Sequence, residues 1–146
     1  MLVDDLKTLL ATNFYFYIKI HGFHWNVEGS DFAQLHEFFL NLYEDVYEAN
    51  DTIAEYIRAL NEYAPGSFER YSEMTKIKGQ TLIPKAHLML AELQENNNTM
   101  LELLNQCFSS ATQENQQGIA NFIAERISQH GKHGWQLRSF LKVNRS

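Results

Sequence analysis

The chain has 146 residues, 45% of them hydrophobic, and a formal net charge of −6 from 18 acids against 12 bases. That length suits a single domain over 1–146 with its own core, and the apolar content excludes a disordered chain. The acidic balance argues against broad electrostatic binding to DNA phosphates, and no apolar run approaches the roughly 20 residues that span a bilayer.

Four long helices are read from apolar spacing, in chain order. The first carries Leu2, Leu6, Leu9, Phe16 and Ile20 and runs to about Val27, where Gly29-Ser30-Asp31 supplies a stop and an N-cap. The second carries Leu35, Phe39, Leu42, Val46, Ala49, Ile53, Tyr56 and Leu60 in steps of four and three, the stripe of a helix with a partner surface. Its N-terminal half is apolar on a further face (Phe38, Leu40, Tyr43, Tyr47), which is read as an oligomer signal. Ala64-Pro65-Gly66-Ser67 ends it, and Phe68 to Ile77 is read as a short linking helix.

The third long helix carries Leu82, Ala86, Met89, Leu93, Met100 and Leu103, with a polar break at Ser109-Ser110-Ala111-Thr112. The fourth carries Ile119, Ile123, Ile127, His130, Leu137 and Leu141. No strand-like alternation competes, so the expected fold is all-α: an antiparallel four-helix bundle with a short helix in the long second-to-third connection. The lone Cys107 excludes an internal disulfide, fits a reducing, cytoplasmic setting and is read as a core residue. No secretory signal is visible, and neither end of the chain is a basic tail; the C-terminus reads Lys142-Val143-Asn144-Arg145-Ser146.

Chemistry-bearing residues fall in two groups. His21/His24 and His130/His133 are pairs three apart on helices; alone, each is more readily a core or surface feature than a ligand set. Glu44, Glu48, Asp51 and Glu55 step by four, three and four along the second helix. They form either a solvated acidic face or, at Asp51 and Glu55, paired carboxylates for a metal. A di-iron centre inside one bundle is excluded, because it needs Glu-x-x-His motifs and no histidine here has a glutamate three positions before it.

The stretch His21-Gly22-Phe23-His24-Trp25-Asn26-Val27-Glu28-Gly29 resembles the signature of the Dps family of mini-ferritins. The resemblance continues through Phe32, Leu35-His36-Glu37, Tyr43-Glu44, Asp51, Ile53-Ala54-Glu55 and Ala64-Pro65-Gly66-Ser67. It ends in His130, Lys132, Trp135 and Leu137-Arg138-Ser139-Phe140-Leu141, so it covers nearly the whole chain. It implies a ferroxidase site shared by two subunits, with His24 and His36 from one chain and Asp51 and Glu55 from its two-fold partner. If these residues form one site, simple geometry agrees. His36 and Asp51 are 15 residues apart on one helix, roughly 22 Å, whereas metal–ligand bonds are near 2 Å. An isologous dimer with antiparallel second helices brings each His36 beside the other chain's Asp51.

The implied function is oxidation of ferrous iron by peroxide or oxygen and storage of ferric mineral in a hollow shell, a dodecamer in the family's manner built from two-fold dimers. Imidazole with carboxylate suits iron and leaves room for zinc or manganese. Trp25, beside His24, is read either as an anchor of the helix end or, as in the family, as a neighbour of the metal site.

Three departures qualify that reading. The family's usual acid four residues after the second histidine is Leu40, so one strongly bound iron per site is expected where the family holds two. The acidic positions of the family's three-fold pores match the neutral Gln116 and Asn121, with Glu114 nearby to compensate. The missing basic tail gives no basis for DNA binding. The alternative is therefore a shell of the same fold with attenuated or lost ferroxidase activity, serving metal sequestration or a structural role.

Overall fold

The computed structural model describes residues 1–142; the expectation placed on Val143 to Ser146 lies outside them. Five helices follow one another: α1 (Leu2–Asn26), α2 (Phe32–Ala59), α3 (Phe68–Met74), α4 (Ala86–Gln113) and α5 (Gln117–Leu141). No strand is present among the described residues, and no helix is long and apolar enough to cross a membrane.

Each boundary has a local cause. α1 gives way at Val27 to extended backbone, and Gly29 then takes φ +112°, a conformation that only glycine adopts without strain. Asp31 is the N-cap of α2 as expected, although its side chain makes no capping hydrogen bond. Asn61 (φ 66°) and Asn115 (φ 59°) follow the ends of α2 and α4 in the left-handed region that asparagine tolerates.

Three expected boundaries shift. α3 ends at Met74 rather than Ile77, because Thr75 turns extended and its hydroxyl bonds both the amide and the carbonyl of Ile77. α4 begins at Ala86, since Pro84 disfavours helix in the residue before it. Leu82 is therefore 78% exposed instead of lying in the core stripe. The polar run Ser109–Thr112 does not break α4. Ser110 donates to the Asp5 carboxylate of α1, Ala111 is fully buried, and the helix continues to Gln113.

Cross-helix contacts set the topology. Asn13 Nδ2 donates to the Val46 carbonyl (2.8 Å), Lys19 Nζ to Asn96 Oδ1 (2.8 Å), and Asn97 Nδ2 to the His130 carbonyl (2.9 Å). α1 is thus antiparallel to both α2 and α4, and α4 to α5. α2 and α4 run the same way, so residues 60–85 must return along the bundle, carrying α3 across α1 through Phe14, Phe68 and Tyr71. The core holds Leu6, Phe16, Ile20, Phe39, Ile53, Leu93, Met100 and Ile123, each at most 1% exposed, and each such side chain stabilises by about 1.5–3 kcal/mol. Ile57, rather than the expected Tyr56, completes the α2 stripe. Cys107 is fully buried as expected, and burial, aided by Asp5, pushes its thiol up to about 12.

Candidate metal centre

The end of α1 and the start of α2 are locked by a reciprocal pair of hydrogen bonds. His24 Nδ1 donates to the His36 carbonyl (2.7 Å), and His36 Nδ1 donates to the His24 carbonyl (2.8 Å). A carbonyl can only accept, so both rings carry a proton on Nδ1, and in the neutral form of each ring it is Nε2 that presents the lone pair. No hydrogen bond among the described residues uses either Nε2. The rings stack at 3.8 Å and 18°; His24 is 9% exposed and His36 half-buried. Orienting an imidazole through its other nitrogen is how proteins prepare a metal ligand.

No carboxylate of the described residues completes this pair. Among the described residues no group of three or more His, Cys, Asp or Glu side chains is gathered as a metal would need. Asp51 and Glu55 lie exposed one turn apart toward the other end of α2, as do Glu44 and Glu48. Asp51, Glu48 and Tyr47 border a groove of ≈ 660 Å³ between α2, α1 and Tyr71 of α3. The structure therefore brings together His24 with His36, and separately Asp51 with Glu55, but not the two halves.

Between the halves lies an aromatic ladder. His21 stacks on Tyr43 (4.0 Å, 14°) and packs on Trp25 (4.1 Å), and the Tyr17 hydroxyl shares a hydrogen bond with His21 Nδ1 (3.0 Å). Burial first, and His24 second, lower the His21 pKa. The outer face expected on α2 is thus partly used within the chain: Tyr43 rests on His21, Tyr47 on Tyr17 (4.9 Å) and Phe38 on Phe140 of α5 (4.8 Å). Tyr47 stays 54% exposed and Leu40 half-buried. Trp25 is 63% exposed within the single chain, with its indole against the His21 ring.

The other histidine pair belongs to a network that sequence spacing missed. Arg126 donates from both terminal nitrogens to Asp45 (3.0 and 2.9 Å) and is 3.1 Å from His130 Nε2; His133 Nε2 donates to Asp45 Oδ2 (2.7 Å); His130 Nδ1 donates to Asn97 Oδ1 (2.8 Å). His130 is fully buried, and burial together with Arg126 and His133 drives its pKa well below the ordinary value. It is neutral, accepting from Arg126 on Nε2. Burial alone would raise the Asp45 carboxyl, but the bonds from His133 and Arg126 prevail and hold it far below the usual carboxylate range. At Gly134 a Cβ would stand 3.2 Å from Asn97 Nδ2, so glycine lets α5 close on the network. Asn97 and Arg126 at helical spacing among apolar neighbours were the available signal.

Of the two expected pore positions, one lies at the α4–α5 turn and the other just inside α5. Gln116 is the N-cap of α5 and Asn121 is exposed, while the Glu114 carboxylate accepts the Leu2 amide (2.8 Å) and so caps α1.

The family model of the ferritin-like domain matches residues 3–146. A low temperature-induced protein of Nostoc sp. is 31% identical over 142 residues, covering 96% of this chain and 79% of its own length. The DNA protection during starvation protein 2 of Bacillus anthracis is 27% identical, with 95% of each chain covered. Among solved structures, the Dps protein of Vibrio cholerae O1, described as one of the ferritin-like diiron-carboxylate proteins, superposes with a TM-score of 0.93 at 28% identity, over 97% of this chain and 89% of that one.

Proposed function

The chain belongs to the ferritin-like family, in its Dps branch, and on that premise we propose that it is the subunit of a cytoplasmic iron-oxidising and iron-storing shell. Its ferroxidase site is completed across a two-fold dimer, with His24 and His36 from one subunit and Asp51 and Glu55 from the next. The observation that carries this reading is the His24–His36 lock. It orients two imidazoles at one end of α2 with, among the described residues, no carboxylate gathered beside them. The paired acids sit about 22 Å away, and a two-fold axis crossing α2 halfway brings the two sets together.

Ferrous iron is the substrate. Two ferrous ions give one electron each to hydrogen peroxide, which takes up two protons and leaves as two waters, and the ferric product is held by carboxylates and deposited as mineral. Oxygen is the alternative oxidant, zinc and manganese are competing ligands, and the assembly is a dodecamer of such dimers. Leu40 offers no donor atom, so each site takes one ferrous ion tightly and a second weakly. Leu40, Gln116 and Asn121 together favour the second reading, a shell with attenuated ferroxidase activity used for sequestration.

Complementation tests the shared site. Subunits lacking both histidines (His24→Ala, His36→Ala) and subunits lacking both acids (Asp51→Asn, Glu55→Gln) are each inactive. Refolded together in equal amounts, they recover about a quarter of the wild-type sites, because each mixed dimer holds one intact site and one empty of ligands. No recovery from well-assembled mixed shells refutes the shared site. Anaerobic titration tests the stoichiometry: two tight ferrous ions per subunit refute the single-strong-site reading.

A further inference from the structure

Leu40 leaves a gap in the ligand set, and the helical register of α2 shows what stands opposite it. If His36 meets the partner's Asp51, the two-fold axis crosses α2 midway between them, between Tyr43 and Glu44. Leu40 and Tyr47 are equally far from that crossing, two turns apart, and at 100° per residue they lie within about 20° of one another on the helix face. The partner's Tyr47 therefore arrives at the height of Leu40 and on the same face.

The Tyr47 ring is 54% exposed, rests on Tyr17 and borders the groove that holds Asp51. Its hydroxyl has no hydrogen-bond partner among the described residues. Leu40 and His36 are both half-buried and lie one turn apart on α2, so a phenol arriving at Leu40 stands within one helical turn of the His36 imidazole.

We propose that the partner's Tyr47 replaces the missing acid as a ligand of the second iron, and that it does so in the ferric state. This rests on the shared site proposed above and deepens it. Phenols keep their proton at neutral pH and are poor ligands for a ferrous ion, whereas a ferric ion displaces that proton. Before oxidation the second ferrous ion is held by His36 and Glu55 alone and binds weakly. After oxidation the phenol O–H bond breaks, an oxygen–iron bond forms, and the proton passes to solvent; no further electron moves. Tyr47 thus favours the oxidised product over the reduced substrate at the second position.

The test is spectroscopic. The assembled wild-type protein is loaded anaerobically with ferrous iron, oxidised with one equivalent of peroxide per two irons, and read for the visible phenolate-to-ferric charge-transfer band. The band is expected in the wild type and is lost completely in Tyr47→Phe, which keeps the ring on Tyr17. It persists in Tyr43→Phe and Glu44→Gln, and it weakens in Leu40→Glu, where a carboxylate reclaims the position. A band that survives Tyr47→Phe, or that disappears in Tyr43→Phe instead, overturns the assignment. Iron loading separates the two levels of the argument. If the His24→Ala/His36→Ala protein loads less iron while the wild type shows no band, the tyrosine ligand is wrong and the shared site stands. If that variant loads at the dimer contact as the wild type does, the shared site itself fails.

Discussion

Replacing Asp45 by Asn should destabilise the protein far more than its position outside the candidate metal site suggests. The carboxylate accepts three hydrogen bonds from α5, two from Arg126 and one from His133. The substituted amide would keep the volume but turn an NH2 toward at least one of those donors, leaving the Arg126 guanidinium, 11% exposed, without its anion. Removing one member of a buried ion pair costs about 3–5 kcal/mol. The Asp45 side chain is 27% exposed, so water compensates in part, and about 2–3 kcal/mol is expected.

The assay is urea unfolding at fixed protomer concentration, because assembly contributes to the measured stability. The pH dependence supplies a second reading. The folded Asp45 pKa lies below its unfolded value, so its stabilisation is complete above about pH 4 and is lost as pH falls through the folded value. The difference between wild type and Asp45→Asn should therefore be full at pH 7 and narrow in strong acid. Arg126→Met added to Asp45→Asn should recover part of the loss. An Asp45→Asn cost below about 0.5 kcal/mol at pH 7 would refute the reasoning, since that is the scale of ordinary surface changes.

Other outcomes follow from the same geometry. Cys107, buried and with its thiol pushed up to about 12, should resist alkylation at pH 8 in the native protein and react once unfolded; comparable rates in both states would contradict its burial. Gln116→Asp with Asn121→Asp should speed iron uptake and make the rate more sensitive to salt, by restoring a field at the α4–α5 turn; an unchanged rate and salt dependence would remove the pore explanation. Plasmid DNA at physiological salt should show no electrophoretic shift with the assembled protein, whose subunits each carry −6; a clear shift would contradict the charge argument.

The stripes in α1, α2, α4 and α5 were legible because an amphipathic helix writes its buried face at fixed spacing. Leu2, Phe16, Phe39 and Ile123 lie where that spacing placed them. Boundaries were less legible. Ser109–Thr112 has the polarity of a break, and nothing local reveals that Asp5 of α1 stands beside Ser110; Leu82 fits the core spacing of a helix whose start Pro84 delays. Of the site, the histidines and acids could be named individually from the resemblance, but their orientation could not.

By itself the sequence determined the helical class and the stripes, because these depend on residue type and on distance along the chain, while the side chains proposed to bind iron were named by the family resemblance. Only the tertiary structure decided that His24 and His36 hold each other's backbone carbonyls, that Glu114 caps α1 rather than standing free, and that Asp45, Asn97, Arg126, His130 and His133 form one network. Hydrogen bonds are directional and short-ranged, and they join groups up to 112 positions apart in the chain. No local pattern encodes which of them will meet; the packing of the helices does.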